Sequence, residues 1–250
     1  NQRFNKLELN FFKERIEWSV NKIICVIPAR KGSKRLKNKN IKNFYGKPII
    51  SRVIQKLKKF KIFDNIYVST DCNKIENIAK KHRLEIIKRN KKLSNDYTDT
   101  RTVISDAITK LEKKNLNFDI VCCVYPTSVF IERKYLKAAE KKIKKNKLDF
   151  VFSAKKYEHP IFRSFYFNSS KLVCPVFKQT KNEKKRTQDF KDVFHDAGQF
   201  YMGHKNSWKL KKNIIYGNVD FIQISRLESS DIDNKNDWNN AKILWKIKNK

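Results

Sequence analysis

Directly after the apolar run Ile23–Ile27 and Pro28, the chain reads Ala29-Arg30-Lys31-Gly32-Ser33-Lys34-Arg35-Leu36-Lys37-Asn38-Lys39-Asn40. Such a loop is suited to a polyphosphate. Backbone N–H groups around Gly32 and Ser33 can point at phosphate oxygens, and Arg30, Lys34 and Lys39 can neutralise their charge. The glycine spacing fits neither a Walker loop nor a dinucleotide-binding fingerprint. Near the carboxyl end, Asp231-Ile232-Asp233 sets two carboxylates on alternate residues. On an extended chain both point the same way and can converge on one cation. Mg²⁺ takes one or two carboxylates together with substrate phosphates and water, so it is the expected ion. The plainer readings are a solvated basic loop and a helix cap at Asp233 or Asn234.

Bringing these two segments together requires a scaffold, and the hydrophobic pattern supplies one. Strands are expected over Lys22–Pro28, Asn65–Ser69, Leu84–Lys88, Phe118–Tyr125 and Asp149–Ala154. Helices are expected between them over Pro48–Phe60, Asn73–His82, Thr100–Lys113 and Glu132–Lys145. Alternation of this kind gives an α/β fold with a mostly parallel sheet and right-handed crossovers. Ligands of such sheets bind outside the carboxyl ends of the strands. That places the basic loop, Ser69-Thr70-Asp71 and Tyr125-Pro126-Thr127-Ser128 at candidate positions, although Thr70 or Asp71 also suits a helix cap. Regularity fails between Lys155 and His195, where aromatics, prolines and charges mix without a period. The stretch reads as an inserted lobe whose aromatics need a partner surface. Strands then follow at Gln199–Met202 and Asp220–Ser225, and a closing helix at Lys235–Lys248 with Trp238, Ala241, Leu244 and Trp245 inward. Residues 1–21 form an extension with Leu7, Phe11, Phe12, Ile16 and Val20 at near-helical spacing, ahead of a domain over 22–250.

Net charge is +33, from 58 basic and 25 acidic residues. A nucleic-acid partner would gather such charge on one face, but the lysines are spread over every expected helix, so only weak nonspecific adsorption to polyanions is expected. No apolar run is long enough to span a membrane and no export signal is legible, which makes the cytoplasm the expected location. The five cysteines lack metal-site spacing, and Cys25, Cys122 and Cys123 lie in apolar strands as expected buried thiols.

Pro28-Ala29-Arg30-x-Gly32-Ser33-Lys34 followed by Lys39-Asn40 resembles the nucleotide-binding signature of the sialic-acid-type cytidylyltransferases, and the resemblance runs over about residues 21–250. It implies a Rossmann-like sheet sandwiched by helices, of the nucleotide-diphospho-sugar transferase type, with the lobe at about 155–195 making a homodimer contact. It implies that Ala29, Arg30, Gly32, Ser33, Lys34, Lys39 and Asn40 hold the phosphates of CTP, and that Arg89, Thr98 and Thr100 hold the cytidine. The family's proline after that arginine is Asn90 here. Tyr125 stands where neuraminic-acid enzymes tend to have Gln, and so resembles the pseudaminic branch. Arg186-Thr187-Gln188-Asp189 and His195-Asp196-Ala197-Gly198-Gln199-Phe200-Tyr201 resemble segments of that branch. Tyr125, Thr127, Arg186, Gln188 and Gln199 are therefore expected at the sugar, with a forked pair from Arg186 to its carboxylate, in its own or a neighbouring subunit. His195 reads more simply as a structural hydrogen bond with Asp196 or the backbone. Asp231 and Asp233 would hold Mg²⁺, while Arg30, Lys39 and Asp233 are the expected catalytic residues. The implied reaction joins CTP to a nine-carbon 2-keto sugar acid, giving a CMP-sugar and pyrophosphate. Neuraminic, legionaminic and 3-deoxy-octulosonic acids are the alternative substrates, and a basic nucleic-acid-binding protein is the alternative of another class.

Overall fold

The computed structural model describes residues 22–33, 35–177, 186–229 and 231–249. The helix expected over 1–21, and Lys34, lie outside the described residues. The strands are β1 (Ile23–Pro28), β2 (Asn43–Phe44), β3 (Lys47–Pro48), β4 (Asn65–Thr70), β5 (Glu85–Lys88), β6 (Ile120–Val124), β7 (Phe150–Lys156), β8 (Phe165–Phe167), β9 (Val173–Pro175), β10 (Phe194–His204) and β11 (Val219–Gln223). The helices are α1 (Ile49–Phe60), α2 (Asn73–Lys81), α3 (Thr100–Glu112), α4 (Arg133–Lys145), α5 (Lys205–Lys209) and α6 (Lys235–Lys248).

Seven strands form one sheet in the order β11-β7-β10-β6-β1-β4-β5. Neighbours run parallel except β10, which is antiparallel to both β6 and β7. Strand parity builds the two cores. Ile23, Cys25 and Ile27 of β1, with Ile120 and Cys122 of β6, pack beneath the apolar stripes of α1, α2, α4 and α6. Ile24 and Val26, with Val121 and Cys123, face α3 and α5 on the other side. A sheet covered on both faces needs continuous apolar strands rather than alternating ones, which is how β1 and β6 read. Burial pushes the thiols of Cys25, Cys122 and Cys123 up, and all five cysteines are free.

Three details depart from expectation. Pro48 is not the first helical residue; it ends β3 and precedes α1, with a proline-compatible φ of −54°. β10 is eleven residues long and begins at Phe194, so the end of the irregular stretch belongs to the sheet. A register shift between Asp196 and Tyr201, carrying Gly198 at φ +60°, hides its period. α5 and the hairpin of β8 and β9 are too short to leave a periodic signal. Gly203 of β10 is obligatory: a Cβ there would sit 2.3 Å from the Phe150 ring, which itself packs edge-on to Trp208. No helix among the described residues is long and apolar enough to cross a membrane.

Candidate active site

A cleft of about 750 Å³ opens over the carboxyl ends of β1, β5 and β6, closed on one side by β10 and the segment after β11. Parallel β1 and β6 end together there, and the chain must leave the sheet at both points, so loops with polar side chains line the edge. Arg30, Ser33, Lys39, Asn40, Arg89, Thr98, Thr100, Tyr125, Thr127, Asp231 and Asp233 all line it.

The basic loop is anchored before it reaches the cleft. Ala29 N–H donates to the Ser69 carbonyl at 2.9 Å, and Lys31 N–H donates to the Asp71 carboxylate at 3.0 Å, which gives Ser69-Thr70-Asp71 its role. Asn40 is buried and donates its side-chain amide to the Arg30 carbonyl at 3.0 Å, closing the loop on itself. Ala29 is fully buried below the loop, and Gly32 is exposed; neither lines the cleft. Across the cleft, Arg30 pairs with Asp96 at 2.5 Å. Lys39, presented by a 3-10 turn over Lys39–Ile41, bonds the Ile232 carbonyl at 2.6 Å and Asp233 Oδ1 at 3.0 Å. Arg35, which sequence reasoning left out, binds the other Asp233 oxygen at 2.7 Å. Cations of the basic loop and the carboxylate pair thus meet in one place, although 193 residues separate Lys39 from Ile232.

Arg89 follows β5 directly and is buried, its guanidinium donating to the Ser69 carbonyl at 2.9 Å and to Ser69 Oγ at 3.3 Å. Burial lowers its pKa to about 10, partly offset by the charge of Asp71. Asn90 takes over the proline's task. Its φ is −64°, and its Oδ1 accepts from Lys92 N–H at 3.0 Å, so an Asx turn stiffens the loop where a pyrrolidine ring otherwise would. Asn95 repeats the device on Tyr97 and Thr98 N–H groups, both at 2.8 Å. Asp99 then caps α3 through Thr102 N–H at 2.7 Å, leaving the Thr100 hydroxyl to bond Tyr125 OH at 2.7 Å.

Asp231 lines the cleft and makes no hydrogen bond among the described residues. Burial first, and then the neighbouring Asp233 charge, push its carboxyl above the ordinary range. A divalent cation shared by the pair offsets both effects, so these oxygens suit Mg²⁺. Among the described residues no cluster of three or more His, Cys, Asp or Glu is assembled for a metal, which leaves further ligands to substrate and water.

Several expected sugar contacts stand elsewhere. Gln199 does not line the cleft; it is buried, and its amide donates to the Glu228 carbonyl. Arg186 and Gln188 lie on an exposed 3-10 turn of the lobe, outside the cleft. His195 bonds the Asp196 carbonyl at 2.8 Å and packs on Tyr157, a structural arrangement. In the Gln199 segment the cleft residues are Asp196, Gly198 and Tyr201. The bulge shifts the side-chain parity of β10, and the sequence marks it only by Gly198.

The family profile described as Cytidylyltransferase matches residues 24–239. A pseudaminic acid cytidylyltransferase of Campylobacter jejuni is 38% identical over 227 residues, covering 90% of this chain and 97% of that protein. An N-acylneuraminate cytidylyltransferase of Oncorhynchus mykiss is 28% identical and covers 86% of this chain and 48% of its own length. Among solved structures, a CMP:2-keto-3-deoxy-manno-octonic acid synthetase complexed with CTP superposes with a TM-score of 0.67 at 14% identity, over 91% of this chain and 99% of that one, a likeness of fold. The matched span takes in the basic loop, the Tyr125 segment and both aspartates, and this chain belongs to the cytidylyltransferase family, a CTP-dependent nucleotidyltransferase.

Proposed function

We propose that the protein activates pseudaminic acid, a nine-carbon 2-keto sugar acid, with CTP, forming the CMP-sugar and pyrophosphate. The observation that carries this reading is the meeting of Lys39 and Arg35 with Asp233 in the same cleft as Arg30. The similarity to pseudaminic acid cytidylyltransferases supports the choice of acid.

The sugar's anomeric hydroxyl attacks the α-phosphorus of CTP in line. A new P–O bond forms as the bond to pyrophosphate breaks, and the hydroxyl proton passes to water. Such a transfer needs positioning and charge neutralisation more than covalent help from the protein. Arg30, Ser33, Lys39 and Asn40 hold the triphosphate at the mouth of β1. Arg30 and Lys39 exchange their carboxylate partners for phosphate oxygens, so the same cations stabilise the leaving pyrophosphate. Arg89, Thr98 and Thr100 hold the nucleoside over β5. Mg²⁺ on Asp231 and Asp233, when bound, would neutralise charge developing on the phosphates. Two subunits are proposed to join through the lobe hairpin, where Phe165 and Phe167 are 63% and 67% exposed.

Incubation with CTP, Mg²⁺ and pseudaminic acid should yield a CMP conjugate and one pyrophosphate for each CTP consumed. No conjugate with this acid, but turnover of N-acetylneuraminic or 3-deoxy-manno-octulosonic acid, would reassign the substrate.

A further inference from the structure

Asp196 and Tyr201 face the cleft together, although five residues apart on β10. In a regular strand residues at that spacing point to opposite faces. The register shift between them reverses the parity, and its hinge is Gly198 at φ +60°. Asp231 passes directly over that glycine, 3.4 Å from where a Cβ would stand. The bulge therefore serves the cleft, and it delivers one carboxylate with a defined orientation. Asp196 Oδ1 accepts from Gly198 N–H at 2.9 Å, and Oδ2 accepts from the Tyr201 hydroxyl. Tyr201 is itself wedged edge-to-face against Tyr125 at 5.6 Å. A carboxylate offers about four acceptor positions, and these two donors leave about half of them for a ligand.

Its place in the sheet says which ligand. The nucleotide elements described above sit at the ends of β1 and β5 and the start of α3, whereas β10 lies on the opposite side of β6. Asp196 thus borders the half of the cleft left to the acceptor. A negative acceptor-only group there repels a carboxylate or phosphate and takes N–H or O–H donors. Resting on the function proposed above, we infer that Asp196, oriented by Tyr201, recognises the acceptor acid through its acylamino N–H groups and discriminates against acids lacking them. Tyr201 is a positioning residue in this scheme.

The test compares pseudaminic acid with 3-deoxy-manno-octulosonic acid, which has no acylamino group, in pyrophosphate-release kinetics of the full chain. Asp196→Asn should raise KM for pseudaminic acid about ten- to hundredfold, the scale of a hydrogen bond to a charged group, while KM for CTP moves less than about threefold. The preference for pseudaminic acid, as a ratio of kcat/KM values, should narrow by the same factor. Tyr201→Phe should move the same quantities in the same direction by less. Equal losses with both acids, or a KM rise shared by CTP, would overturn the assignment, as would a lowered unfolding midpoint with unchanged KM. Should the parent release no pyrophosphate with either acid, the proposed function fails on its own. Calorimetric titration of pseudaminic acid into parent and Asp196→Asn then decides Asp196: weaker binding supports it, and equal affinity overturns it.

Discussion

Burial and the adjacent Asp233 hold the Asp231 carboxyl above its ordinary value of 3.8. A raised carboxyl contributes stability that is complete below 3.8 and is lost as pH rises through the folded-state value, so at neutral pH its charge works against folding. Asp231→Asn should therefore raise the unfolding midpoint at pH 7, with the gain vanishing below pH 3.8, while pyrophosphate release falls. Denaturation curves at the two pH values and one activity assay check both halves. Asp233→Asn should keep the fold and lose pyrophosphate release by about two orders of magnitude or more, read with Mg²⁺ present. Unchanged turnover would remove the metal role. Alternation made the two aspartates candidates, because period two is a local property, and the family resemblance set them above a helix cap. Asp196 and Tyr201 were not legible, and Gln199 was read in their place, because a one-residue bulge inverts parity and leaves only a glycine as its mark. Arg35 was missed for another reason: in a loop with five basic neighbours, residue type does not say which cation reaches Asp233.

Elements are fixed to one another by the carboxylate of Glu228, on the short 3-10 turn Arg226–Glu228 between β11 and the aspartate pair. Burial would raise it, but hydrogen bonds from Tyr135, Lys248 and Lys134 outweigh that and hold it at about 2. The turn is thereby tied to α4 and α6, and its backbone carbonyl also receives the Gln199 amide. A depressed carboxyl contributes stability above 4.5 that is lost as pH falls toward about 2. Glu228→Gln should cost about 1–2 kcal/mol at pH 7, discounted for solvent screening, and the difference from the parent should shrink between pH 4.5 and 2 in urea titrations. An equal difference at both ends would show that packing rather than charge carries the effect. The parallel direction of most strands was implicit in the alternating pattern, although their order was not. The reversed direction of β10 was not, since the irregular stretch that precedes it carries no count of how many times the chain turns.

For the whole molecule, the exposed hairpin and the position of Arg186 outside the cleft point the same way. If the lobe pairs two subunits, Arg186 of one is available to the other's acceptor half, as the resemblance implied. Phe167→Asp should convert a dimer to a monomer in light scattering and weaken the acid's binding with it. Mixing Arg186→Ala with Asp233→Asn subunits, each impaired alone, should restore up to about a quarter of parental activity if the arginine acts in trans and subunits exchange at random. Failure of the mixture to exceed its components would place Arg186 in its own subunit's site or outside both.

The lobe leaves the sheet from the end of β7 and re-enters at the start of β10, and these two strands are neighbours. Lys156 pairs with Phe194, and Tyr157 N–H closes the opening on the Val193 carbonyl at 2.9 Å. Both junctions of the excursion therefore lie one strand spacing apart, so residues 157–193 can be exchanged for a relative's without lengthening or bending any strand. The lobe is thus a socketed excursion between two neighbouring strands, and exchanging it leaves Asp196 and Tyr201 of β10 and the loops that line the cleft in place.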